Sequence, residues 1–552
     1  MKIAGVWSGH DCSFGVLENG HPLVHAEYER YNREKSPAGD SLKFLFERCE
    51  DLANDCTHVA SVYPKKKLHQ HQESYKRMQG LVESKGGKIH FISHHKAHAA
   101  HAFYSSNFED ALIITLDGGG VEDDRGGESA CTIWEGNGTN LKHIQTFHPA
   151  QINIGGVWTR VTRYIFRLNN GWPLGGQEGS VMAMAAPGDP SLYHDDFYAM
   201  LTRDIEPAGM KPSDQPPGAT SDRDPTHPYL EPWAAIARRS EEDKFHLAAG
   251  LQSATELLIQ QIIQHALTQS QCRNVCFVGG VALNSVAMGK AFDWFPEITD
   301  IYIPPVPYDG GLSLGAAQWL WHEKLGNPRI KWNKNFTPYL GELWSQDDVD
   351  AAIAGVDKDK IITQNATMND MINLLEKGEI VSVYDGSSES GRRALGNRSI
   401  LADPRKDDMK DRVNAKVKHR QWYRPFAPSI LKSKTAEWFE KDVESPYMQF
   451  VIKFKPNMGA KVPAVNHFDG TARLQTVREE DNKWYFDFLT AWEEKTGVPI
   501  ILNTSFNDRE PICETPQHAL GCFMGTDIDH LYFVKEGILV SKKNISKENE
   551  QQ

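Results

Sequence analysis

The sequence predicts a two-lobed α/β protein, and three observations carry that reading. The chain has 552 residues, more than one hydrophobic core normally organises. Helix-like and strand-like periodicities alternate along it, with glycines at the strand ends. Between 326 and 341, Asn327-Pro328, repeated Lys and Asn, and Thr337-Pro338 interrupt the pattern, which places a domain boundary at 335/336.

The first lobe opens on apolar runs between Lys2 and Arg30, broken by Ser8-Gly9-His10-Asp11 and by Glu18-Asn19-Gly20-His21. That reads as three strands joined by a polar turn and an Asn-Gly hairpin. Residues 91–103 form an expected helix with Ser93 as N-cap. On it His94 and His98, four apart, can offer two imidazoles to one metal ion. The apolar run Ala111 to Leu116 then ends in Asp117-Gly118-Gly119-Gly120, as when a buried strand delivers a carboxylate to a turn. Two nitrogens and an oxygen make an open metal site. The alternative for an isolated His-x-x-x-His pair is solvated or capping histidines. A helix from about Phe245 to Leu267 leads to a strand at Asn274–Val278, a turn from Gly279 and Gly280 to Asn284, a strand at Ile301–Ile303 and Asp309-Gly310-Gly311. The stretch from Pro207 to Pro228, dense in Pro, Gly and Ser, is expected to be a mobile loop near an acceptor site, with plain disorder as the alternative.

In the second lobe, strands are expected at Ile380–Tyr384, Phe450–Phe454 and Val498–Leu502, and the chain is expected to turn more basic. Gly391-Arg392-Arg393 is followed by Lys418, Arg420 and Arg424, by the run His467 to Gln475 containing Arg473, and by Asn503-Thr504-Ser505-Phe506-Asn507. Planar guanidiniums fork onto phosphate or carboxylate oxygens, and lysine adds a point charge. Together they suit a small phosphorylated donor; singly, each arginine reads as a surface ion pair contributing about 0 to 1 kcal/mol.

Composition narrows the classes. The net charge is -13, from Lys+Arg 60 against Asp+Glu 73, which opposes extended nucleic-acid binding; Lys65, Lys66 and Lys67 do not reverse it. Eight scattered cysteines suggest reduced thiols in a cytoplasmic protein, with Cys272 and Cys276 read as small buried hydrophobes rather than zinc ligands. Neither a targeting segment nor a membrane span is expected.

In order along the chain, His10-Asp11, Glu29-Arg30, His94/His98 with Asp117, Glu178-Gly179 with Val181-Met182, Gly279 to Asn284, Asp309-Gly310 and the arginine-bearing runs of the second lobe resemble the carbamoyltransferase family of antibiotic and nodulation-factor biosynthesis. The resemblance implies an actin-like (ASKHA) ATPase lobe fused to a YrdC-like α/β lobe. It implies that His94, His98, Asp117 and Asp309 hold a divalent metal, iron in the family, although the donor set also suits zinc or manganese. Gly279 and Gly280 would let backbone approach nucleotide phosphates, Asn284 belonging to that turn. Lys418, Arg424 and Arg473 would bind carbamoyl phosphate, Ser505 and Asn503 would line an adenylation site, and His10 would move the acceptor proton.

The expected reaction uses carbamoyl phosphate and ATP with Mg2+ to make carbamoyl-AMP on the second lobe, and passes the carbamoyl group to a hydroxyl of a small-molecule acceptor on the first. A homodimer is compatible with it. The sequence departs from the family at Ser390-Gly391-Arg392-Arg393, at Glu178-Gly179-Ser180 and at Glu27-Tyr28-Glu29-Arg30, which bears on nucleotide handling and acceptor choice. Three rivals are a protein of tRNA threonylcarbamoyladenosine modification, disfavoured by charge, a metallopeptidase, disfavoured because no His-Glu-x-x-His glutamate is present, and a nucleotide-sensing actin-like regulator.

Overall fold

Asn19 and Gly20 both take left-handed backbone angles, φ 50° and 85°, so the predicted hairpin turn forms between β2 (Ser13–Glu18) and β3 (His21–Glu27). β1 (Lys2–Trp7) precedes them, and the turn carrying His10 and Asp11 joins it to β2. The computed structural model describes residues 1–62, 72–123, 127–168, 177–202, 229–332 and 336–543. Lys65, Lys66, Lys67, the Pro207–Pro228 stretch and residues 544–552 lie outside the described residues. The chain divides into two units, Met1–Phe336 and Thr337–Gln552.

The first unit contains one sheet built twice. β4 (Cys56–Val62) and β5 (Ile89–Ile92) complete the first copy in the order β3-β2-β1-β4-β5. β2 runs antiparallel to both neighbours while β1, β4 and β5 are parallel. The second copy consists of β6 (Asp110–Val121), β7 (Glu128–Asn137), β8 (Asn140–Phe147), β9 (Asn274–Val278) and β10 (Asp300–Tyr302). It repeats the plan, with β6 central, β7 and β8 as the antiparallel meander, and β9 and β10 parallel to β6. Tight turns suffice for a meander, whereas each parallel strand needs a crossover. This duplicated order is the ground plan of actin-like ATPases.

Two of these crossover helices position the site. Helix His94–Ser105 leaves β5 of the first sheet but packs on β6, while helix Leu312–Trp319, entered from beyond β10, packs on β1 and β2. The helices also pack on each other. Small residues permit the approach: a Cβ on Gly315 would lie 1.9 Å from the Ala97 carbonyl oxygen, and one on Gly5 1.8 Å from that of Ser313. The N-terminal ends of both helices bear candidate ligands.

The second unit is a mixed sheet of nine strands. They are β11 (Ile361–Asn365), β12 (Val381–Tyr384), β13 (Arg398–Ala402), β14 (Ala427–Leu431), β15 (Phe450–Lys453), β16 (Thr471–Val477), β17 (Ile500–Ser505), β18 (His530–Phe533) and β19 (Ile538–Lys542). Their order is β11-β19-β18-β12-β13-β17-β14-β16-β15. Helix Lys483–Thr496 buries Tyr485, Phe488, Leu489 and Trp492 in this unit's core with Val381, Leu401 and Ile501. All three strands expected here are present, displaced by no more than a few residues. The charge expectation needs correction: the second unit as a whole holds more acidic than basic residues, and its largest basic excess lies in the arginine-rich stretch from Gly391 to Arg424.

Candidate functional site

His94 and His98 are buried, 2% and 0% exposed, which removes the solvated alternative. Ser93 occupies the N-cap position, yet its side chain makes no capping hydrogen bond. The imidazoles instead converge on two carboxylates. His98 Nε2 lies 3.1 Å from Asp117 Oδ2 and 3.3 Å from Asp309 Oδ1, and His94 Nε2 lies 3.3 and 3.4 Å from the same atoms. Such separations are those of donors sharing one ion at bonds of about 2.1 Å. The other histidines of the helix are committed elsewhere: His95 lies between the Thr115 hydroxyl and the Ser129 carbonyl, and His101 contacts Gln318 and Ser105.

Electrostatics supports the same reading. Burial lowers the basicity of the His94 imidazole, but Asp309 and Asp117 outweigh it and raise the group to about 10. Burial raises the Asp117 carboxyl, but His94 and His98 hold it well below its usual range. A buried pocket of two carboxylates and two imidazoles that draws in positive charge this strongly fits a divalent cation, to which neutral imidazole nitrogens and ionised carboxylates are the ligand forms.

Both aspartates sit differently from expectation. Asp117 is not at a strand end: β6 runs on through the glycines to Val121, with its register to β7 interrupted between Leu116 and Gly120. This bulge aims the carboxylate, whose Oδ1 accepts the Gly118 N–H at 2.7 Å. The glycines are steric: a Cβ on Gly120 would lie 2.2 Å from the His94 ring. Asp309 begins the 3-10 turn Asp309–Gly311 at the entrance to helix Leu312–Trp319. The neighbouring Gly310 carbonyl is gripped by the Ser13 hydroxyl and His25 Nε2, each at 2.8 Å, and Tyr308 donates its hydroxyl proton to Glu27. Glu27 thus has an evident task in a run where the sequence departs from the family.

His10 lies beside this cluster, with Nε2 3.2 Å from Asp309 Oδ2 and Nδ1 3.1 Å from Asp11 Oδ2. Its side chain is 39% exposed, so it meets solvent as well as the buried charges. Trp7 Nε1–H donates to the His10 carbonyl at 2.7 Å and its ring meets His94 edge-on, tying the two histidines together.

The Gly279-Gly280 turn adjoins the same place. Gly279 has φ 97° and no room for a side chain, a Cβ lying 2.2 Å from the Leu116 carbonyl oxygen; a Cβ on Gly280 would lie 3.4 Å from Asp117 Oδ1. Asn284 caps helix Ser285–Trp294 by accepting the Ala287 N–H, and exchanges hydrogen bonds with the Gln252 amide. Its side chain is therefore engaged in holding the turn. Ser180 is buried in the first turn of helix Glu178–Met184, its hydroxyl donating to Gln177.

In the second unit the structure separates residues that sequence reasoning had grouped. Lys418 ends the π-helical turn Asn414–Lys418, after which His419 is left-handed at φ 46°. Its buried ammonium donates to the Ser505 carbonyl at 2.5 Å and to the carbonyl and side-chain oxygens of Asn507 at 2.6 and 2.8 Å. Asn503 and Ser505 belong to β17; Asn503 donates to Ala394 and Gln475, and Ser505 to Asn507.

Arg424 and Arg473 belong to a second group that also includes Arg393 and Arg420. Burial, then repulsion from Arg393, Arg420 and Arg424, holds Arg473 well below the usual guanidinium value. Arg420 is depressed in the same way, with Asp508 as a partial counter-charge. Mutually repelling, desolvated guanidiniums make a receptor for an anion. Sequence reasoning included Arg393 and Arg420 among the cations suited to a phosphorylated donor, while the resemblance assigned carbamoyl phosphate to Lys418, Arg424 and Arg473. It missed Glu389, whose buried Oε1 accepts the N–H groups of Leu395, Asn397 and Arg398 and shapes the loop around Arg393.

Comparison with known proteins follows the same division. Residues 56–318 match the family described as Carbamoyltransferase N-terminus and residues 372–542 match Carbamoyltransferase C-terminus. Nodulation protein NolNO of Sinorhizobium fredii is 34% identical over 478 residues, 84% of this chain and 65% of that protein. The chain therefore spans just under two thirds of that relative's length. Nodulation protein NolO of Bradyrhizobium diazoefficiens is 33% identical over 80% of this chain and 77% of its own length. Nodulation protein U of Rhizobium tropici is 26% identical over 99% of this chain and 97% of its own. Both halves are thus matched in order, and the chain belongs to the carbamoyltransferase family of enzymes.

Proposed function

We propose that this enzyme makes carbamoyl-AMP from carbamoyl phosphate and ATP with Mg2+ and transfers the carbamoyl group to a hydroxyl of a small, natural-product or sugar-like acceptor. The observation that carries the donor half is the group formed by Arg393, Arg420, Arg424 and Arg473. A protein that only sensed nucleotide through its first unit would have no use for so much clustered positive charge in the second. Water releases phosphate from carbamoyl phosphate to leave carbamate, whose oxygen attacks the α-phosphorus of ATP with loss of pyrophosphate. The arginines neutralise the anions as they meet, while Lys418 stiffens the Ser505–Asn507 segment at the edge of β17.

Transfer is the task of the first unit. His94, His98, Asp117 and Asp309 would hold the divalent cation, with iron(II) as the proposed occupant. Such a cation supplies a fixed positive charge for a carbonyl or phosphate oxygen. His10, partly exposed and with Nδ1 hydrogen-bonded to Asp11, takes the proton on Nε2 as the acceptor hydroxyl attacks the carbamoyl carbon, and AMP leaves. The glycine turn beside Asp117 would admit nucleotide phosphates to the same place. Among the described residues no helix is long and apolar enough to cross a membrane, and all eight cysteines are free thiols, which supports a cytoplasmic setting. Incubation with ATP, carbamoyl phosphate and a panel of hydroxylated acceptors tests the proposal. Mass spectrometry should find an acceptor heavier by one carbamoyl group, and absence of pyrophosphate release under those conditions would overturn it.

A further inference from the structure

Glu510, Cys513 and Cys522 bring a carboxylate oxygen and two sulfurs within 4.8 Å of one another. All three belong to the second unit, so they form a group separate from His94, His98, Asp117 and Asp309 of the first. Cys513 is fully buried and Cys522 nearly so. Two buried thiols by themselves read as small apolar fillers, the usual role of cysteine in a core. A carboxylate converging on them does not fit that reading, because an ionised oxygen gains nothing from an apolar neighbourhood.

Local structure holds each donor in place. Beyond β17 the chain forms a loop closed by the Cys513 N–H on the Phe506 carbonyl at 3.0 Å. Inside it, Asn507 Nδ2 donates to the Glu510 carbonyl at 2.6 Å. The Glu510 carboxylate folds back on the same loop, Oε1 accepting the Asp508 N–H at 3.2 Å and Oε2 the Arg509 N–H at 3.1 Å. A carboxylate has about four lone-pair sites, so two such bonds orient it and still permit it to ligate a cation. Cys522 stands on the second turn of helix Pro516–Gly525, whose start is fixed by a capping box in which the Thr515 hydroxyl accepts the His518 N–H at 3.1 Å. The Cys513 sulfur lies 3.3 Å from the His518 carbonyl oxygen of that helix.

We propose that Glu510, Cys513 and Cys522 form a zinc site, with water in the fourth position, that staples helix Pro516–Gly525 to the loop from 506 to 513. Thiolates select soft or borderline ions, and an oxygen donor beside them favours zinc over copper(I). Donors around one tetrahedral zinc stand about 3.5 to 3.8 Å apart, so a small rotation of the side chains completes the set. On binding, both thiols release their protons to solvent and the two thiolates and the carboxylate bond the ion. Three anionic donors exceed a divalent ion by one charge, and the Lys418 ammonium, which favours a thiolate at Cys522, offsets it. The loop and the helix cap are already held by hydrogen bonds, so the ion acts on stability and not on the reaction. The site therefore stands whether or not the donor reading holds.

Titration of the reduced, metal-stripped full chain with Co2+ tests it. Cobalt on thiolate gives a near-ultraviolet charge-transfer band, which imidazole and carboxylate ligands do not, so the band reports this site separately from the cluster of the first unit. The band should appear, should be displaced by Zn2+, and should persist in a His94→Ala/His98→Ala variant. Cys513→Ser and Cys522→Ser should each diminish it sharply. Glu510→Gln, at a partly exposed position, should keep the band but raise the cobalt dissociation constant by at least the roughly tenfold that even an outer-shell partner is worth. That variant decides the matter should the serine variants fail to fold. In the His94→Ala/His98→Ala variant, Zn2+ should also raise the thermal midpoint, as a ligand of the folded state does. Cobalt uptake with no thiolate band overturns the proposal, as does a band indifferent to Cys513 and Cys522. An unchanged cobalt affinity in Glu510→Gln overturns the three-donor assignment, and a midpoint unmoved by Zn2+ overturns the staple.

Discussion

The His94 ring is held between the Trp7 indole, met edge-on at 5.5 Å between centroids, and the bare backbone of Gly120. Gly120→Ala should therefore act as a ligand mutation without touching a ligand. Elemental analysis should find metal occupancy falling towards that of a His94→Ala/His98→Ala double variant; full occupancy in that double variant would refute the cluster as a metal site. His10 touches Asp309 of the same cluster from the solvent side. His10→Asn should leave carbamoyl-AMP formation intact and slow transfer by about 10²- to 10⁴-fold, the usual cost of losing a general base. A single-turnover experiment following both steps checks this, and equal slowing of both would assign His10 a purely structural task. In the second unit, Arg473→Ala removes a charge-assisted contact, so carbamoyl phosphate binding measured by calorimetry should weaken by about 1.5 to 3 kcal/mol while metal content is unchanged.

Helices rather than strand ends deliver most of the metal ligands. The helix bearing His94 and His98 and the helix entered through Asp309 approach closely because Ala97 faces Gly315, and that approach brings an imidazole pair and a carboxylate to one point. Helix Leu312–Trp319 continues into the π-helical segment Leu320–Lys324, which buries His322 against Tyr104 with ring centroids 4.6 Å apart. Burial lowers the His322 imidazole from 6.5 to about 4. The unfolded chain therefore binds a proton there that the folded chain refuses. The stability conferred by the neutral ring is complete above pH 6.5 and drains away as pH falls towards 4. Thermal unfolding should show a midpoint that drops over this window, and His322→Phe should make the drop shallower by on the order of 1 to 3 kcal/mol. An unchanged pH profile in that variant would show that the ring is not responsible.

For the whole chain, the proposed division of labour predicts that chelation uncouples the two half-reactions. Treatment with a chelator should abolish acceptor carbamoylation yet leave carbamoyl-phosphate-dependent pyrophosphate exchange in place; loss of both in parallel would place the cation in donor chemistry. Much of this organisation is legible in the sequence because it rests on local signals. Turn residues such as Asn19-Gly20 demand positive φ, four-residue spacing puts His94 and His98 on one helix face, and an apolar run ending in Asp117 marks a strand near a charge. The duplication of the five-stranded sheet left no such trace, since it is a property of strand order and not of repeated residues. Tertiary packing alone decided that His98 would lose all contact with water and that Asp117 would be aimed by a bulge. It also decided that Lys418 would turn to the carbonyls of the Ser505–Asn507 segment while Arg393 and Arg420 joined Arg424 and Arg473. A side chain's type and spacing state what it can bind; which charges share a desolvated space depends on chain segments hundreds of residues apart, and only the folded packing brings them there.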